Sequence, residues 1–351
     1  MRARRDSDVE TSIEDKVAYL SDTAAWRGHA GPVTRRETHM SWIFFVGETV
    51  YKLKKPVRFA YLDFSTLARR EAACRAEFAL NQRLAPDIYW DVVSLTRAGD
   101  GLKIGGTGEV VDWLVVMLRL DPSRTLEARL AAGDLGGGEL DRLADTLARF
   151  YRHAEPVRLT PAAHLSRWRA ALVENRRVLL DPRLAIPPGL VRAALAAQHR
   201  FLEQRPRLLA DRARRGRIVD AHGDLRPEHV WMGPPVKIID RLEFSAALRA
   251  VDPLDELAFL DLETERLGSP EAGLRLRRRV TAALHEEPPP ELYLFYRSYR
   301  ATLRARLSIA HLLEPNPRTP EKWPRQTRAY LALAARDARR LAVLLNRPAD
   351  R

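Results

Sequence analysis

The sequence contains little cysteine and no long apolar run. Its 351 residues include a single cysteine, Cys74, which excludes an intramolecular disulfide and argues against a metal site built from several thiolates. No stretch of about eighteen consecutive apolar residues occurs, so the sequence offers no candidate for a membrane-spanning helix. The first ten residues also lack the apolar segment of a secretion signal. We therefore expect a cytoplasmic protein without a membrane partner.

Acidic residues are outnumbered by basic ones. The chain has 59 Lys+Arg against 46 Asp+Glu, a formal net charge of +13, while its apolar fraction of 46% is that of a folded protein. Such an excess favours anionic partners, among them nucleotides, phosphorylated metabolites and nucleic acid. The arginines are spread through helical segments instead of forming a tail, so we interpret the charge as a solvated basic surface, with a functional basic groove as the alternative.

The pattern of apolar residues divides the chain into two parts. The first part predicts a small antiparallel sheet with one long helix, and the second part is mostly helical. We therefore predict an α+β fold with two lobes, 1–118 and 119–351. In the first lobe, strands are predicted at 38–46, 49–55, 88–96 and 110–120, a helix at 67–84, and a turn at 105–108.

One stretch, residues 218–244, carries the chemistry. It reads IVDAHGDLRPEHVWMGPPVKIIDRLEF, in which two short apolar runs, IVDAH and VKIID, each end in an ionisable side chain. Phosphoryl transfer needs one carboxylate to orient the attacking hydroxyl and another to hold a cation on the nucleotide phosphates. Asp224 and Asp240 can supply both.

Two lysines on one predicted strand also need an explanation. Lys52 and Lys54 lie two residues apart and therefore share a face of the strand. A lysine that reaches nucleotide phosphates would explain one of them, and an edge strand with both side chains extended to water is the alternative. Glu77, on the predicted helix, could pair with the functional lysine.

Together these features resemble a known family. The segment HGDLRPEH at 222–229 resembles the H-G-D-x-x-x-x-N catalytic loop of the aminoglycoside phosphotransferase and choline kinase group, which are relatives of the protein kinases. The segments VKIID at 236–240 and VDPLDELA at 251–258 are similar to the family's metal-binding strand end and to the segment that follows it. More narrowly, ETHMSWIFF, VYKLKKP, IDRLEF and YRSYR resemble an uncharacterised bacterial branch described as aminoglycoside phosphotransferase-like.

The resemblance implies a two-lobed, protein-kinase-like fold with 1–118 as the nucleotide-binding lobe and 119–351 carrying the catalytic loop and acceptor site. It implies an ATP-dependent phosphotransferase that uses Mg²⁺ or Mn²⁺ and transfers the γ-phosphate to a hydroxyl of a small molecule, sugars included. For the loop, the resemblance implies Asp224 as base, Arg226 as a cation beside the transferred group, and His222 as a residue that holds the loop backbone. It implies that Lys52 (or Lys54) binds the nucleotide phosphates with Glu77 as its partner, and that Asp240 and His229 bind the metal. The residues implied to contact the adenine are Met117, Leu118 and Arg119.

Two departures from the family pattern bear on activity. His229 stands where the family has asparagine, and imidazole suits Mn²⁺ or Zn²⁺ better than Mg²⁺. The turn at 46–49 lacks a glycine-rich cover for phosphates. These departures raise the alternative of a pseudokinase that senses nucleotide or acts as a scaffold.

The acceptor is less defined. The helical segment around Tyr296, Arg297 and Arg300 could bind it through aromatic stacking and anion-binding arginines, and the alternative is that these tyrosines pack in the core. A basic nucleic-acid-binding module is the third hypothesis for the whole chain, and it rests on charge alone. The sequence does not indicate an oligomeric state.

Overall fold

The computed structural model describes residues 11–59, 61–99, 101–314, 317 and 319–347, so the first ten residues lie outside this range. The chain forms two units. The first comprises Met1–Asp121 together with Lys237–Ala246, and the second comprises Pro122–Val236 together with Ala247–Arg351. The return of the short segment Lys237–Ala246 to the first unit was not indicated by the sequence.

The first unit is built on a six-stranded antiparallel sheet with the strand order β1-β2-β3-β8-β6-β7. Two short strands, β4 and β5, form a separate hairpin between β3 and helix α2. The elements are α1 (Ile13–Ser21), β1 (Thr34–Glu37), β2 (Ser41–Val46), β3 (Thr49–Lys54), β4 (Arg58–Phe59), β5 (Leu62–Asp63), α2 (Leu67–Asn81), β6 (Tyr89–Ala98), β7 (Gly101–Ile104) and β8 (Glu109–Leu118).

Side chains along β3 alternate between an apolar cluster on one face and helix α2 on the other. Leu53 packs into an apolar cluster with Leu20 of α1, whereas Lys52 and Lys54, its neighbours on the strand, reach Glu77 of α2. Because successive strand residues point to opposite faces, the lysines share the α2 face, as their spacing predicted. Helix α2 ends at Asn81, three residues before the predicted end.

The strand register corrects one expectation about the phosphate cover. Thr49 pairs with Leu118, and Arg119 donates its backbone N–H to the Glu48 carbonyl at 2.7 Å, so the 46–49 turn lies beside the end of β8. Lys54 pairs with Ser41 instead. The turn beside the lysine end of β3 is therefore 38–40, and the missing glycines at 46–49 do not bear on a phosphate site there.

The second unit is mainly helical. Its helices are α3 (Leu126–Ala132), α4 (Gly137–Arg152), α5 (Pro161–Leu179), α6 (Pro188–Gln204), α7 (Pro206–Arg214), α8 (Ala246–Arg249), α9 (Pro253–Arg266), α10 (Pro270–Ala283), α11 (Pro290–Ala310) and α12 (Lys322–Leu345). Helix α8 begins at the last residue of the first unit. The core of the second unit joins α5, α6, α9 and α11 through residues that include Trp168, Phe201, Phe259 and Phe295.

The remaining strands have two residues each: β9 (Val219–Asp220), β10 (Val230–Trp231), β11 (Lys237–Ile238) and β12 (Ala250–Val251). Within the second unit, β9 pairs antiparallel with β12 and so places the chain just before the 222–229 loop beside the start of α9. The predicted α+β class is confirmed. None of the helices in the described ranges is both long enough and apolar enough to cross a membrane.

Candidate functional site

In the first unit, one buried carboxylate accepts from both strand lysines. Glu77 is fully buried, and its Oε1 lies 2.8 Å from Lys52 Nζ while its Oε2 lies 2.6 Å from Lys54 Nζ. Burial alone would raise the pKa of Glu77, but the two ammonium groups hold it below its usual range. Helix α2 therefore carries an ionised carboxylate that fixes both lysines.

Each lysine has a second acidic partner, from the segment that follows β11. Lys52 Nζ lies 3.1 Å from Asp240 Oδ1, and Lys54 Nζ lies 2.5 Å from Glu243 Oε1. Burial opposes protonation of the lysines, yet these carboxylates raise the pKa of both. The Asp240 side chain is 46% exposed, so this carboxylate is the member of the cluster that faces solvent most.

Asp240 adopts a backbone conformation that is uncommon for a residue with a side chain. Its φ is +62°, in the left-handed region. Its backbone N–H donates to Tyr89 Oη at 3.1 Å, and the next N–H, of Arg241, donates to Asn81 Oδ1 at 3.0 Å. The surrounding side chains thus hold the turn that presents the Asp240 carboxylate.

The predicted adenine-binding residues lie at the end of β8. Met117 pairs with Val50 and Tyr89 in the sheet, and the Leu118 backbone N–H donates to the Ile88 carbonyl at 2.8 Å. Arg119 is exposed and its guanidinium lies over the Phe45 ring, 5.3 Å from the ring centre. The geometry defines a strand end beside the 46–49 turn, and a role in binding adenine stays a prediction.

In the second unit, the 222–229 loop gathers the other predicted residues. Arg226 donates from Nε to Asp224 Oδ2 at 2.9 Å and also pairs with Glu228. Burial would raise the pKa of Asp224, but Arg226 foremost, then His229, Arg304 and His222, keep it below its usual range. Asp224 is therefore an ionised, part-buried carboxylate.

The two histidines of the loop brace its backbone. His222 Nδ1 accepts from the Asp224 backbone N–H at 3.3 Å. His229 contacts the Asp224 carbonyl oxygen through Nδ1 at 2.9 Å and Arg226 Nη2 through Nε2 at 3.1 Å. Because Arg226 can only donate, His229 Nε2 accepts and His229 Nδ1 donates. Both ring nitrogens of His229 are thus engaged inside the loop in this structure, which does not favour a metal-ligand role.

Sequence reasoning missed the carboxylate that anchors this loop. Glu256 of α9 is buried and accepts three hydrogen bonds, from the backbone N–H groups of His222 and Gly223 at 3.2 and 2.6 Å and from Tyr151 Oη at 3.0 Å. Burial raises the pKa of Glu256 in spite of these donors. Its neighbour Asp255 is also buried and does not cap α9. The α9 cap is Asp252, whose side chain accepts from the Leu254 N–H at 3.0 Å.

Glu243 was also missed. The sequence left open whether Lys52 and Lys54 extend to water, so it did not indicate that a buried Lys54 needs a second carboxylate besides Glu77.

The predicted acceptor residues lie inside α11 and are already paired. Tyr296 is fully buried and donates to Asp252 Oδ2 at 2.9 Å. Arg300 donates from Nε and Nη2 to both oxygens of Asp255, at 2.7 and 2.6 Å. Arg297 is buried and pairs with Asp261, Glu265 and Asp337. These side chains hold α11 to α9 and α12, and we do not retain them as acceptor ligands.

No family model matches the chain. An uncharacterized protein of Mycobacterium tuberculosis is 32% identical over 289 residues, which cover 80% of this chain and 56% of that relative. The alignment thus spans little more than half the length of the relative.

Two solved structures resemble more than nine tenths of the chain in fold. Choline kinase from Cryptosporidium parvum Iowa II gives a TM-score of 0.55 at 11% identity and covers 95% of this chain and 96% of that one. A thermostable mutant of an aminoglycoside phosphotransferase, in a ternary complex with AMP-PNP and hygromycin B, gives a TM-score of 0.51 at 12% identity over 92% of this chain and 98% of that one. The chain has the protein-kinase-like fold of choline kinases and aminoglycoside phosphotransferases, as the sequence motifs predicted.

Proposed function

We propose that this protein is an ATP-dependent phosphotransferase that moves the γ-phosphate to a hydroxyl of a small molecule. The observation that carries the proposal is the chain of ion pairs from Glu77 to Lys52 and from Lys52 to Asp240. A strand lysine fixed by a helix carboxylate, beside a half-exposed carboxylate, is the arrangement that holds nucleotide phosphates and their metal in kinases.

Lys52 is the better of the two candidates for the phosphate-binding lysine. Its side chain is 15% exposed, and it is the lysine that pairs with Asp240, whereas the Lys54 side chain is 1% exposed and lies between two carboxylates. A ligand phosphate can replace a partner of Lys52 more readily than it can reach Lys54.

In the second unit, Asp224 would accept a hydrogen bond from the acceptor hydroxyl and take its proton as transfer proceeds. Its lowered pKa keeps it ionised at neutral pH, so its main contribution is to orient the hydroxyl. Arg226, which lies 2.9 Å from Asp224, would neutralise charge on the transferred group.

The residues fit a hard divalent cation. Asp240 offers carboxylate oxygen, and the cluster of two lysines and three carboxylates keeps one negative charge in excess. Mg²⁺ is commonly bound through one or two carboxylates with substrate phosphates and water. We propose Asp240 as its protein ligand. A cation bound there would neutralise the phosphate oxygens and so stabilise negative charge during transfer.

Calorimetric titration of ATP with Mg²⁺, with Mn²⁺ and without metal tests the proposal. The wild type is compared with Asp240→Ala and with a matched control, Asp91→Ala, which removes an exposed acid of the same unit. Metal-dependent binding is expected in the wild type and the control and not in Asp240→Ala. ATP turnover, lost in Asp224→Asn, separates an enzyme from a pseudokinase, which would bind without turnover. Absence of nucleotide binding under every condition would overturn the proposal.

A further inference from the structure

The two lysines of β3 have different surroundings. Lys54 is fully buried, with Nζ 2.6 Å from Glu77 Oε2, 2.5 Å from Glu243 Oε1 and 5.0 Å from the centre of the Phe64 ring. Lys52 retains some exposure and pairs with the half-exposed Asp240. Because Lys54 is buried between two carboxylates and an aromatic ring, it cannot contact a ligand directly. Any role of Lys54 in binding must therefore act through its partners.

Glu243, the outer partner of Lys54, lies three residues after Asp240 on the same short segment. That segment begins with the left-handed turn at Asp240, whose N–H and the next N–H along the chain are held by Tyr89 and Asn81. The ion pair with Lys54 fixes the other end of the segment. A sparsely populated backbone conformation persists only where neighbouring groups determine it, and here it is held at both ends.

The charge balance makes this ion pair important for the position of the segment. With Lys54 present, Glu77 and Glu243 share one ammonium group in a buried setting. Without it, Glu77 would keep Lys52 as a partner, whereas Glu243 would lose its ammonium partner and lie next to a second carboxylate, at a cost in desolvation and repulsion. Glu243 would then turn towards water and draw the segment that carries Asp240 with it.

We propose that Lys54 is a positioning residue for the metal site: through Glu243 it fixes residues 240–243 so that the Asp240 carboxylate is held ready to bind a divalent cation. The inference rests on the proposed nucleotide and metal chemistry and deepens it. It assigns different roles to two adjacent lysines on one face, with Lys52 acting on phosphate and Lys54 acting only through the protein.

The test measures the metal-dependent gain in nucleotide affinity, which is the Kd for ATP without metal divided by the Kd for ATP with Mn²⁺. Lys54→Met and the nearly isosteric Glu243→Gln are expected to reduce this ratio about 10-fold or more, in line with the loss that removal of residues supporting a metal ligand causes. Metal-free affinity should be retained in both. Lys52→Met, in contrast, should weaken ATP binding with and without metal.

Two controls sharpen the comparison. Lys55→Met removes the next lysine along the chain, which pairs with Glu37 and the Thr38 carbonyl and does not touch the cluster, so its ratio should equal that of the wild type. The double variant Lys54→Met/Glu243→Gln should lose no more than the greater of the two single losses, because both single changes break the same ion pair.

The outcomes separate this inference from the function on which it rests. A wild type without any metal-dependent gain would overturn both. A wild type with the gain, and a Glu243→Gln variant that keeps it in full, would overturn the positioning role alone, even if Lys54→Met failed to fold. Equal losses of metal-free and metal-dependent binding in Glu243→Gln would also overturn it, because they would indicate general damage to the first unit.

Discussion

Replacing Glu256 with glutamine should loosen the 222–229 loop without changing any residue of the loop itself. The buried Glu256 carboxylate accepts from the N–H groups of His222 and Gly223 and from the hydroxyl of Tyr151. Glutamine has the same shape but only one accepting oxygen, and its NH₂ group can only donate. At least one buried donor therefore loses its acceptor in the variant.

The size of the effect follows from these contacts. A hydrogen bond to a charged group contributes about 1.5–3 kcal/mol, and leaving a buried donor unsatisfied costs about 1–3 kcal/mol. We expect Glu256→Gln to destabilise the second unit by about 3 kcal/mol. For a unit of this size, that lowers its unfolding midpoint by roughly 6–12 °C. Turnover should fall as well, because Asp224 follows directly after the two N–H groups.

Hydrogen exchange at the His222 and Gly223 amides gives a direct assay, with thermal unfolding as the second measurement. Tyr151→Phe serves as the matched control, because it removes one donor and leaves both backbone N–H groups their carboxylate; its cost should be about 1.5 kcal/mol, the lower end of the range for a hydrogen bond to a charged group. Exchange rates and an unfolding midpoint in Glu256→Gln that equal those of the wild type would refute the reasoning.

Three further outcomes are expected. Glu77→Gln should destabilise the first unit by about 3 kcal/mol because it removes the one buried carboxylate that accepts from both lysine ammonium groups, which urea unfolding would detect; a neutral effect would contradict the ion-pair network. Burial lowers the pKa of His164 to about 4 from 6.5, so the unfolded chain binds a proton at this residue more tightly than the folded chain does. The stability that neutral His164 contributes is therefore fully present above pH 6.5 and is lost as the pH falls towards 4. Relative to His164→Gln, the wild type should lose about 2 kcal/mol between pH 7 and pH 5, and an NMR titration of His164 near 6.5 would disprove this. Arg300→Met should destabilise by about 3 kcal/mol, since it strands the buried Asp255, and a selective rise in KM for the acceptor at unchanged stability would restore Arg300 as an acceptor residue.

The features that were predicted correctly from the sequence are local ones. The loop at 222–229 is contiguous, so its histidines, Asp224 and Arg226 meet within a few residues of chain. The shared face of Lys52 and Lys54 follows from the two-residue period of a strand. The pairing with Glu77 could be inferred because a buried lysine needs an anion and α2 offered one beside its apolar stripe.

Features that depend on distant parts of the chain were not predicted. Lys54 and Glu243 are separated by 189 positions, and Glu256 lies 33 positions from Gly223. No local pattern distinguishes an acid that will be buried against such a partner from one that will be exposed. The sequence also left open whether the arginines of α11 bind the acceptor or have a structural role, because a helical arginine gives the same pattern whether it faces a ligand or a buried carboxylate such as Asp255.

The histidine at position 229 shows how a departure from a motif can be interpreted once the contacts are known. An imidazole at this position was expected to alter a metal site, since nitrogen is a poor ligand for Mg²⁺. In the folded loop His229 spans the Asp224 carbonyl and the Arg226 guanidinium, 2.9 and 3.1 Å away. An asparagine side chain ends at its δ atoms, so it has no atom in the position of His229 Nε2, which accepts from Arg226. Under the proposed function, the substitution changes how the loop is held and leaves the cation to the carboxylate oxygen of Asp240, which is consistent with Mg²⁺ and requires no shift to Mn²⁺.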